Sequence, residues 1–477
     1  MSSVSDSRES NGSNKERVVI LGSGWAGYAL ARRLSPSKAS RILISPRSHF
    51  VFTPLLASTS VGTLEFRAAI EPVRRLGLTE FHQAWATDVD FERKVVKVEA
   101  NTHGDVGAVV NPRVHKGAEF EVPYDKLVLS MGCYSQTFGI EGVKEHACFL
   151  RDIGDARTIR LRVLEAFERA ELPTMSDDER RKLLHFAVVG GGPTGIEFAA
   201  ELHDLIHEDL SKLYPSLMQH VAITVYDIAP KVLPMFDQNL ASYATDMFRR
   251  QGIKVKTEHH LERIRREGDT LMLKIREEPR ETGAGLVVWS TGLMQNPLTS
   301  KLLERNVNLE PGRQGHIARD PRTGAVVTDE HMRVQMQIQQ PDAASSGQST
   351  DDSVKRTTTT LPDVYAVGDC TAVQGQRYPA TAQVASQQAA YLARQLNKGR
   401  ADDATSPPFK FRNLGTMAYL GSWRAIHQSS ADELKGGAAW ILWRTAYLTR
   451  SMSIRNKIMI PVYWLVTWIF GRDISRF

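Results

Sequence analysis

The sequence predicts an α/β protein of two doubly wound, Rossmann-like dinucleotide-binding domains, the second inserted in the first, with a C-terminal amphipathic, membrane-associated region. Three observations carry this. An apolar run from Arg17 leads into Gly22-x-Gly24-x-x-Gly27, and another, from Phe186, leads into Gly190-x-Gly192-x-x-Gly195. Each reads as a buried parallel strand, a tight turn and a helix. The glycines permit the turn and the approach of a pyrophosphate, and the helix N-terminus offers free N–H groups to it. The third is the segment from Gly436 to Phe477, where six cations (Arg444, Arg450, Arg455, Lys457, Arg472 and Arg476) meet one acid, Asp473, and four of the eight tryptophans gather. One glycine motif is a weak signal; two in one chain argue for two bound dinucleotides.

Composition sets outer limits. The 477 residues leave room for two or three domains, and 42% hydrophobic with 24% charged residues is ordinary for a globular chain. The net charge of +6 invites an anionic partner. Cys133, Cys148 and Cys370 form no C-x-x-C or C-x4-C pair. A disulfide framework, a metal site and a dithiol flavoprotein reductase are therefore not expected.

Residues 1–16 are polar, without the apolar core of a secretory signal or the Arg-rich, acid-poor character of a mitochondrial presequence, and read as a disordered tail. The first domain is assigned to 17–150 and 300–410. Its second strand ends at Ser45, where a dinucleotide site usually carries an acid for the ribose hydroxyls. Ser45 can still hydrogen-bond a ribose, and Arg47 can stack on adenine or meet phosphate. The aromatic and aliphatic run His49 to Leu56, ended by Pro54, is either a packed loop or a lip around a flavin ring that includes Thr53.

The segment from Ser45 to Arg74 closely resembles the one following the first dinucleotide turn of the type II NADH:quinone oxidoreductases. These are the alternative, non-proton-pumping NADH dehydrogenases, and the likeness is nearest to their fungal mitochondrial branch. That family also carries Ser-Pro-Arg in place of the acid. The resemblance implies FAD at the first site, with Gly22, Gly24, Gly27, Ser45, Arg47 and Thr53 among its contacts.

Residues 81–122 alternate apolar and polar, an antiparallel excursion interrupted by a loop near 101–117. Tyr124 to Gly132 is a buried strand whose end, Gly132, approaches the first nucleotide. A helix from Asp155 to Arg169 opens the second domain, 151–299. Glu197 and Glu201 lie i,i+4 on the helix after Gly195, a spacing that by itself favours a pair of solvated surface carboxylates. The resemblance instead places Glu197 where flavin, nicotinamide and quinone pocket meet. The strand Ala222 to Asp227 ends in an acid. Asp227 can accept from the ribose hydroxyls and repel a 2′-phosphate, favouring NADH over NADPH. Thr291-Gly292 resembles the family's strand-end contact to NADH.

Residues 335–360 are polar and rich in Ser, Thr and Gln, and read as a disordered insertion where the family has a short connection. Val364 to Asp369 follows, a strand ending in Gly-Asp. After two glycine turns, this arrangement puts the Asp369 carboxylate against the ribityl hydroxyls of FAD. Ala382-Gln383-x-Ala385-x-Gln387-Gln388 resembles the family's quinone box. Gln383 and Gln387 would present amides to a quinone carbonyl and alanines such as Ala382 would leave room for its ring. Gln388 stands where the family often has Glu.

The last region, 411–477, has a longest apolar run, Ile458 to Phe470, of 13 residues containing Pro461. Crossing a bilayer takes roughly 20 residues. Trp and Tyr flanked by Arg and Lys suit a helix lying in the headgroup layer, where each cation adds on the order of 1 kcal/mol. The alternatives for this face are a dimer interface, which leaves a homodimer open, and a helix packed on the core. Ser453 to Phe477 strongly resembles the family's membrane anchor, so lipid, not nucleic acid, accounts for the positive charge. The expected protein passes electrons from NADH through FAD to a ubiquinone-like quinone, peripherally bound at the mitochondrial inner membrane. A ferredoxin- or ascorbate-radical-reductase-like enzyme should lack the quinone box and the basic tail. An apoptosis-inducing-factor-like flavoprotein that binds DNA should spread its positive charge over the folded domains.

Overall fold

The computed structural model describes residues 15–101, 117–310, 313–338, 357–430 and 432–476. Glu16–Leu21 (β1) buries Val18 to Leu21 completely and passes through the glycine turn into Trp25–Arg33 (α1). Ala39–Ser45 (β2) and Lys126–Leu129 (β3) flank β1 in parallel. Strands apolar throughout need this position, because both sheet faces are covered. Between β2 and β3 lie a short buried helix, Leu56–Ser60 (α2), and the antiparallel strands Glu80–Asp90, Val95–Ala100 and Glu119–Pro123. Glu16, placed in the tail on sequence grounds, belongs to β1 and pairs with Ala39. Residues 1–14 of that tail, and the loop residues 102–116, fall outside the described residues.

Ile153–Ala170 (α3) starts ahead of the expected Asp155 because Asp152 caps it, in a capping box with Asp155. His185–Val189 (β4), Ala222–Tyr226 (β5) and Leu286–Trp289 (β6) belong to a five-stranded parallel sheet in which β4 is central. Pro193–Leu205 (α4) leaves the second glycine turn and is buried from Gly195 to its end. A helix hydrophobic only in part, yet buried all round, must be covered by other elements; here they come from both ends of the chain.

The chain then returns to the first sheet. Arg333–Ile338 pairs antiparallel with Thr357–Ala366 (β7), and β7 lies parallel to β3. This corrects the expected insertion. Its flanks, Gln335–Ile338 and Thr357–Thr360, are paired strands, because Val334, Met336 and Ile338 alternate inward to the core. Residues 339–356 fall outside the described ones. Ala382–Asn397 (α5) packs its alanine face on α1. Thr416–Gly421 (β8) belongs to a three-stranded antiparallel sheet laid on α4. Gly437–Arg450 (α6) and Ile454–Phe470 (α7) close the chain. Among the described residues, no helix is long and apolar enough to cross a membrane.

Candidate active site

The first glycine turn opens on a cleft of about 220 Å³ bordered by Gly22, Gly24, Ser45, Arg47, Thr53, Gly132, Asp369 and Ala382. Gly27 lies behind it: a Cβ there would stand 1.9 Å from the Gly22 carbonyl oxygen, so its hydrogen lets α1 close on β1. Gly24 is different, since a Cβ would meet nothing within 4 Å and would project into open space. Ser45 shares a 2.8 Å hydrogen bond with Ser23 and accepts from the Arg47 N–H. Arg47 pairs with Asp152 at 2.5 Å, and Thr53 accepts from the Trp25 indole N–H at 3.0 Å. Burial raises the Asp369 carboxyl above the usual range, against the pull of Arg151. His49 Nε2 and Arg151 Nη1 are buried without a hydrogen-bond partner. Open space over Gly24 with unmatched polar atoms along the walls fits an anionic dinucleotide such as FAD. Gln388 lies behind the Gly-Asp turn, its Oε1 accepting from the Gly368 N–H at 2.7 Å. The position needs an acceptor oxygen, which Gln supplies as Glu would.

The second turn repeats the division of labour. A Cβ on Gly195 would stand 2.0 Å from the Gly190 carbonyl oxygen, whereas one on Gly192 would meet nothing within 4 Å. Asp227 does not stand free at its strand end: Oδ2 accepts from the Gly191 N–H and Oδ1 from the Ala229 N–H. The carboxylate thus braces the glycine turn while keeping lone pairs for a ribose. Thr291 and Gly292 precede Leu293–Gln295, which pairs antiparallel with Cys133–Ser135 just after Gly132. The strand ends of the two clefts are thereby joined.

Glu197 and Glu201 are both buried, contrary to the surface reading that spacing favours. Glu197 Oε1 accepts from the Tyr419 N–H at 3.1 Å and the Trp443 indole N–H at 3.0 Å. Glu201 accepts from Ser58 at 2.6 Å and Thr63 at 2.7 Å. Burial pushes the Glu197 carboxyl from 4.5 up to about 8, and raises Glu201 as well. The folded state therefore binds the Glu197 proton more tightly than the unfolded chain does. Its contribution to stability is complete below about pH 4.5 and is lost as pH rises to about 8. In urea unfolding measured against pH, Glu197→Gln is expected to remove part of the decline across that window; a parallel decline in both proteins would contradict the assignment.

Gln383 and Gln387 lie on α5, but their amides do not point to open space. Gln383 donates to the Gly415 carbonyl at 2.6 Å and accepts from the Leu414 N–H at 3.1 Å. Gln387 donates to the Arg412 carbonyl at 2.8 Å and accepts from its N–H at 3.0 Å. A side-chain amide carries the same donor and acceptor as a peptide, and residues 412–415, outside any strand, use both as a ladder. The two amides expected at a quinone carbonyl are thus engaged by the backbone of residues 412–415. Two of the six C-terminal cations are likewise not lipid-facing. Arg472 pairs with Glu208 at 2.8 Å and Asp209 at 2.6 Å, and Arg444 is stacked among indoles. Sequence reasoning put Glu201 on the surface and gave no role to Arg151 or Trp443. Only Glu201 left a signal, its i,i+4 place relative to Glu197.

Two joined glycine-turn clefts, one in each sheet, define a two-dinucleotide flavoprotein of the pyridine nucleotide-disulphide oxidoreductase class, whose description matches residues 16–338. Residues 413–473 match the NDH2 C-terminal domain. A probable NADH dehydrogenase from Dictyostelium discoideum is 39% identical over 97% of this chain and 91% of its own length. The internal alternative NAD(P)H-ubiquinone oxidoreductase A1 of Solanum tuberosum mitochondria is 35% identical over 97% and 88%. The structure of NDH2 from Plasmodium falciparum in complex with NADH superposes with a TM-score of 0.81, covering 97% of this chain and 100% of that one at 24% identity. The chain belongs to the type II NADH dehydrogenases.

Proposed function

We propose that this protein is a membrane-associated flavoenzyme that takes electrons from NADH and delivers them through FAD to a ubiquinone-like quinone, without pumping protons. The observation that carries this reading is the buried Glu197. It stands on the helix of the second glycine turn and is held by Trp443 of the C-terminal region, so the nucleotide side and the membrane side meet at one carboxyl. Both the NDH2 C-terminal match and the basic, tryptophan-rich tail speak against a soluble-acceptor reductase and a DNA-binding flavoprotein.

The chemistry that FAD would supply when held there is hydride acceptance from NADH and two-electron delivery to the quinone. The chain's part is alignment. The N–H groups at Gly22 and Gly24 and the start of α1 would hold the FAD pyrophosphate, with Ser45, Arg47, Thr53, Gly132 and Ala382 along the cleft and Asp369 on the ribityl chain. The turn from Gly190 to Gly195 would hold NADH, with Asp227 on the ribose and Thr291-Gly292 at the strand end. Glu197, its carboxyl raised by burial, holds a proton more firmly than an exposed carboxyl would. Because Oε1 already accepts two hydrogen bonds, that proton resides on Oε2. Relatives named as mitochondrial support a peripheral site at the mitochondrial inner membrane.

The test is anaerobic. Addition of NADH to the purified yellow protein is expected to bleach the flavin, and a short-chain quinone to restore the colour. A protein that binds no flavin, or whose reduced flavin ignores quinone, would rule the proposal out.

A further inference from the structure

One cation of the basic C-terminus is neither lipid-facing nor paired. The Arg444 guanidinium on α6 lies 4.3 Å from the ring centres of Trp440 and Trp464 and 5.6 Å from that of Trp423. Its Nε is buried without a hydrogen-bond partner, and among the described residues it makes no ion pair. Its neighbours differ: Arg472 holds Glu208 and Asp209, and Arg160 holds Asp473.

Arg444 borders a cavity of about 650 Å³ between α2, α4, α6 and α7. The carboxylates on the opposite wall are already satisfied. Glu201 accepts from Ser58 and Thr63, and Asp204 accepts from the Tyr419 hydroxyl at 2.6 Å and the Ser422 N–H at 3.0 Å. Glu208 and Asp209 are taken by Arg472. Trp468 and Phe470, 67% and 81% exposed, rim the cavity on the apolar side.

A guanidinium clamped on its faces keeps only its N–H edge for hydrogen bonding, and a desolvated cation without a counter-charge is costly. An oxyanion matches that edge in charge and in fork geometry. Glu201 and Glu208 lie within electrostatic reach of Arg444 and disfavour a multiply charged ligand. We propose that this cavity binds a monoanionic amphiphile, its carboxylate or phosphodiester head on the Arg444 edge and its chain leaving past Trp468 and Phe470 along α7. The inference rests on the membrane-surface reading of α7.

Dibromostearate, which quenches indole fluorescence on contact, is added to the full-length, flavin-loaded protein in detergent. Saturable quenching is expected, about tenfold weaker for the uncharged methyl ester and about tenfold weaker in Arg444→Gln. Arg444→Lys, which keeps the charge but loses the planar fork, falls between. Displacement by vesicles of phosphatidylcholine with phosphatidylglycerol, but not of phosphatidylcholine alone, identifies a phosphodiester lipid as a ligand; displacement only by oleate identifies a free carboxylate. Equal quenching by acid and ester in the unmodified protein overturns the proposal without relying on a variant. Competitive displacement by a short-chain quinone overturns it too, assigning the cavity to the acceptor. Flavin bleaching by NADH in the same samples, and flotation on vesicles, report separately on the proposed function and on the membrane reading.

Discussion

Gly24→Ala is expected to give a protein that folds as the parent does but loses its flavin on gel filtration, whereas Gly27→Ala is expected to lose stability first. The two positions are three residues apart in one motif and differ in what surrounds them. A Cβ at Gly24 meets nothing within 4 Å, and the backbone there, with φ −74° and ψ −166°, suits any residue. The folded chain therefore tolerates the methyl group. A pyrophosphate lying over the turn would not, because the methyl would hold it off the N–H groups of α1. Losing one or two charge-assisted hydrogen bonds costs about 1.5–3 kcal/mol each, so flavin affinity should fall by roughly tenfold to a hundredfold or more. At Gly27 the methyl stands 1.9 Å from a backbone oxygen, and α1 must move off β1. Overpacking of that kind costs about 1–3 kcal/mol, visible as a lowered melting temperature before any ligand is added. The second turn has the same geometry, so Gly192→Ala should raise the KM for NADH at full flavin content, and Gly195→Ala should destabilise. The flavin-to-protein absorbance ratio, thermal melts and, for Gly192→Ala, steady-state kinetics with NADH check all four. A Gly24→Ala protein that keeps its full flavin would remove the first turn from the binding site.

These turns were legible because their chemistry is local. Glycine spacing, strand hydrophobicity and the helix that follows lie within a dozen residues, and the sheet order only sets them side by side. What stayed hidden depends on distant partners. Glu201 is a core residue because α2 brings Ser58 to it across 143 positions, and Glu197 owes its indole donor to Trp443, 246 positions away. Spacing alone cannot distinguish such carboxyls from a solvated pair. Gln383 and Gln387 sit on the expected helix, but residues 412–415 take up both amides, an outcome that depends on a loop with no pattern of its own. Counting charges treated Arg444 and Arg472 as equivalent to the exposed Arg455 and Lys457, since a charge count records neither stacking indoles nor buried acids. The edges of the presumed insertion are a different case. The inward alternation of Val334, Met336 and Ile338 was present in the sequence but was masked by the polar residues between them.

Replacing Ile458, Leu465, Trp468 and Ile469 together by serine is expected to release the protein from vesicles while leaving its flavin reducible by NADH. On α7 the side chains of Asn456, Ile460 and Trp464 are buried; Ile458, Leu465 and Ile469 lie on the opposite side and Trp468 projects at its margin, all four 54–67% exposed. An apolar stripe of that kind, on a helix that packs its other face on the core, suits a bilayer surface more than bulk water. Each large apolar side chain moved from water into the acyl boundary contributes about 1.5–3 kcal/mol. Removing four costs at least about 6 kcal/mol, more than a thousandfold in partitioning. The exposed cations Arg455, Lys457 and Arg476 contribute on the order of 1 kcal/mol each on an anionic surface, and that part is screened by salt. The unmodified protein should therefore weaken on vesicles as salt is raised yet remain bound, whereas the serine variant should stay in the soluble fraction at all but the lowest salt. Because the four side chains make few contacts within the fold, thermal melts of the two proteins should coincide. If the variant still floats with vesicles, the apolar face of α7 is not what holds this enzyme to the membrane.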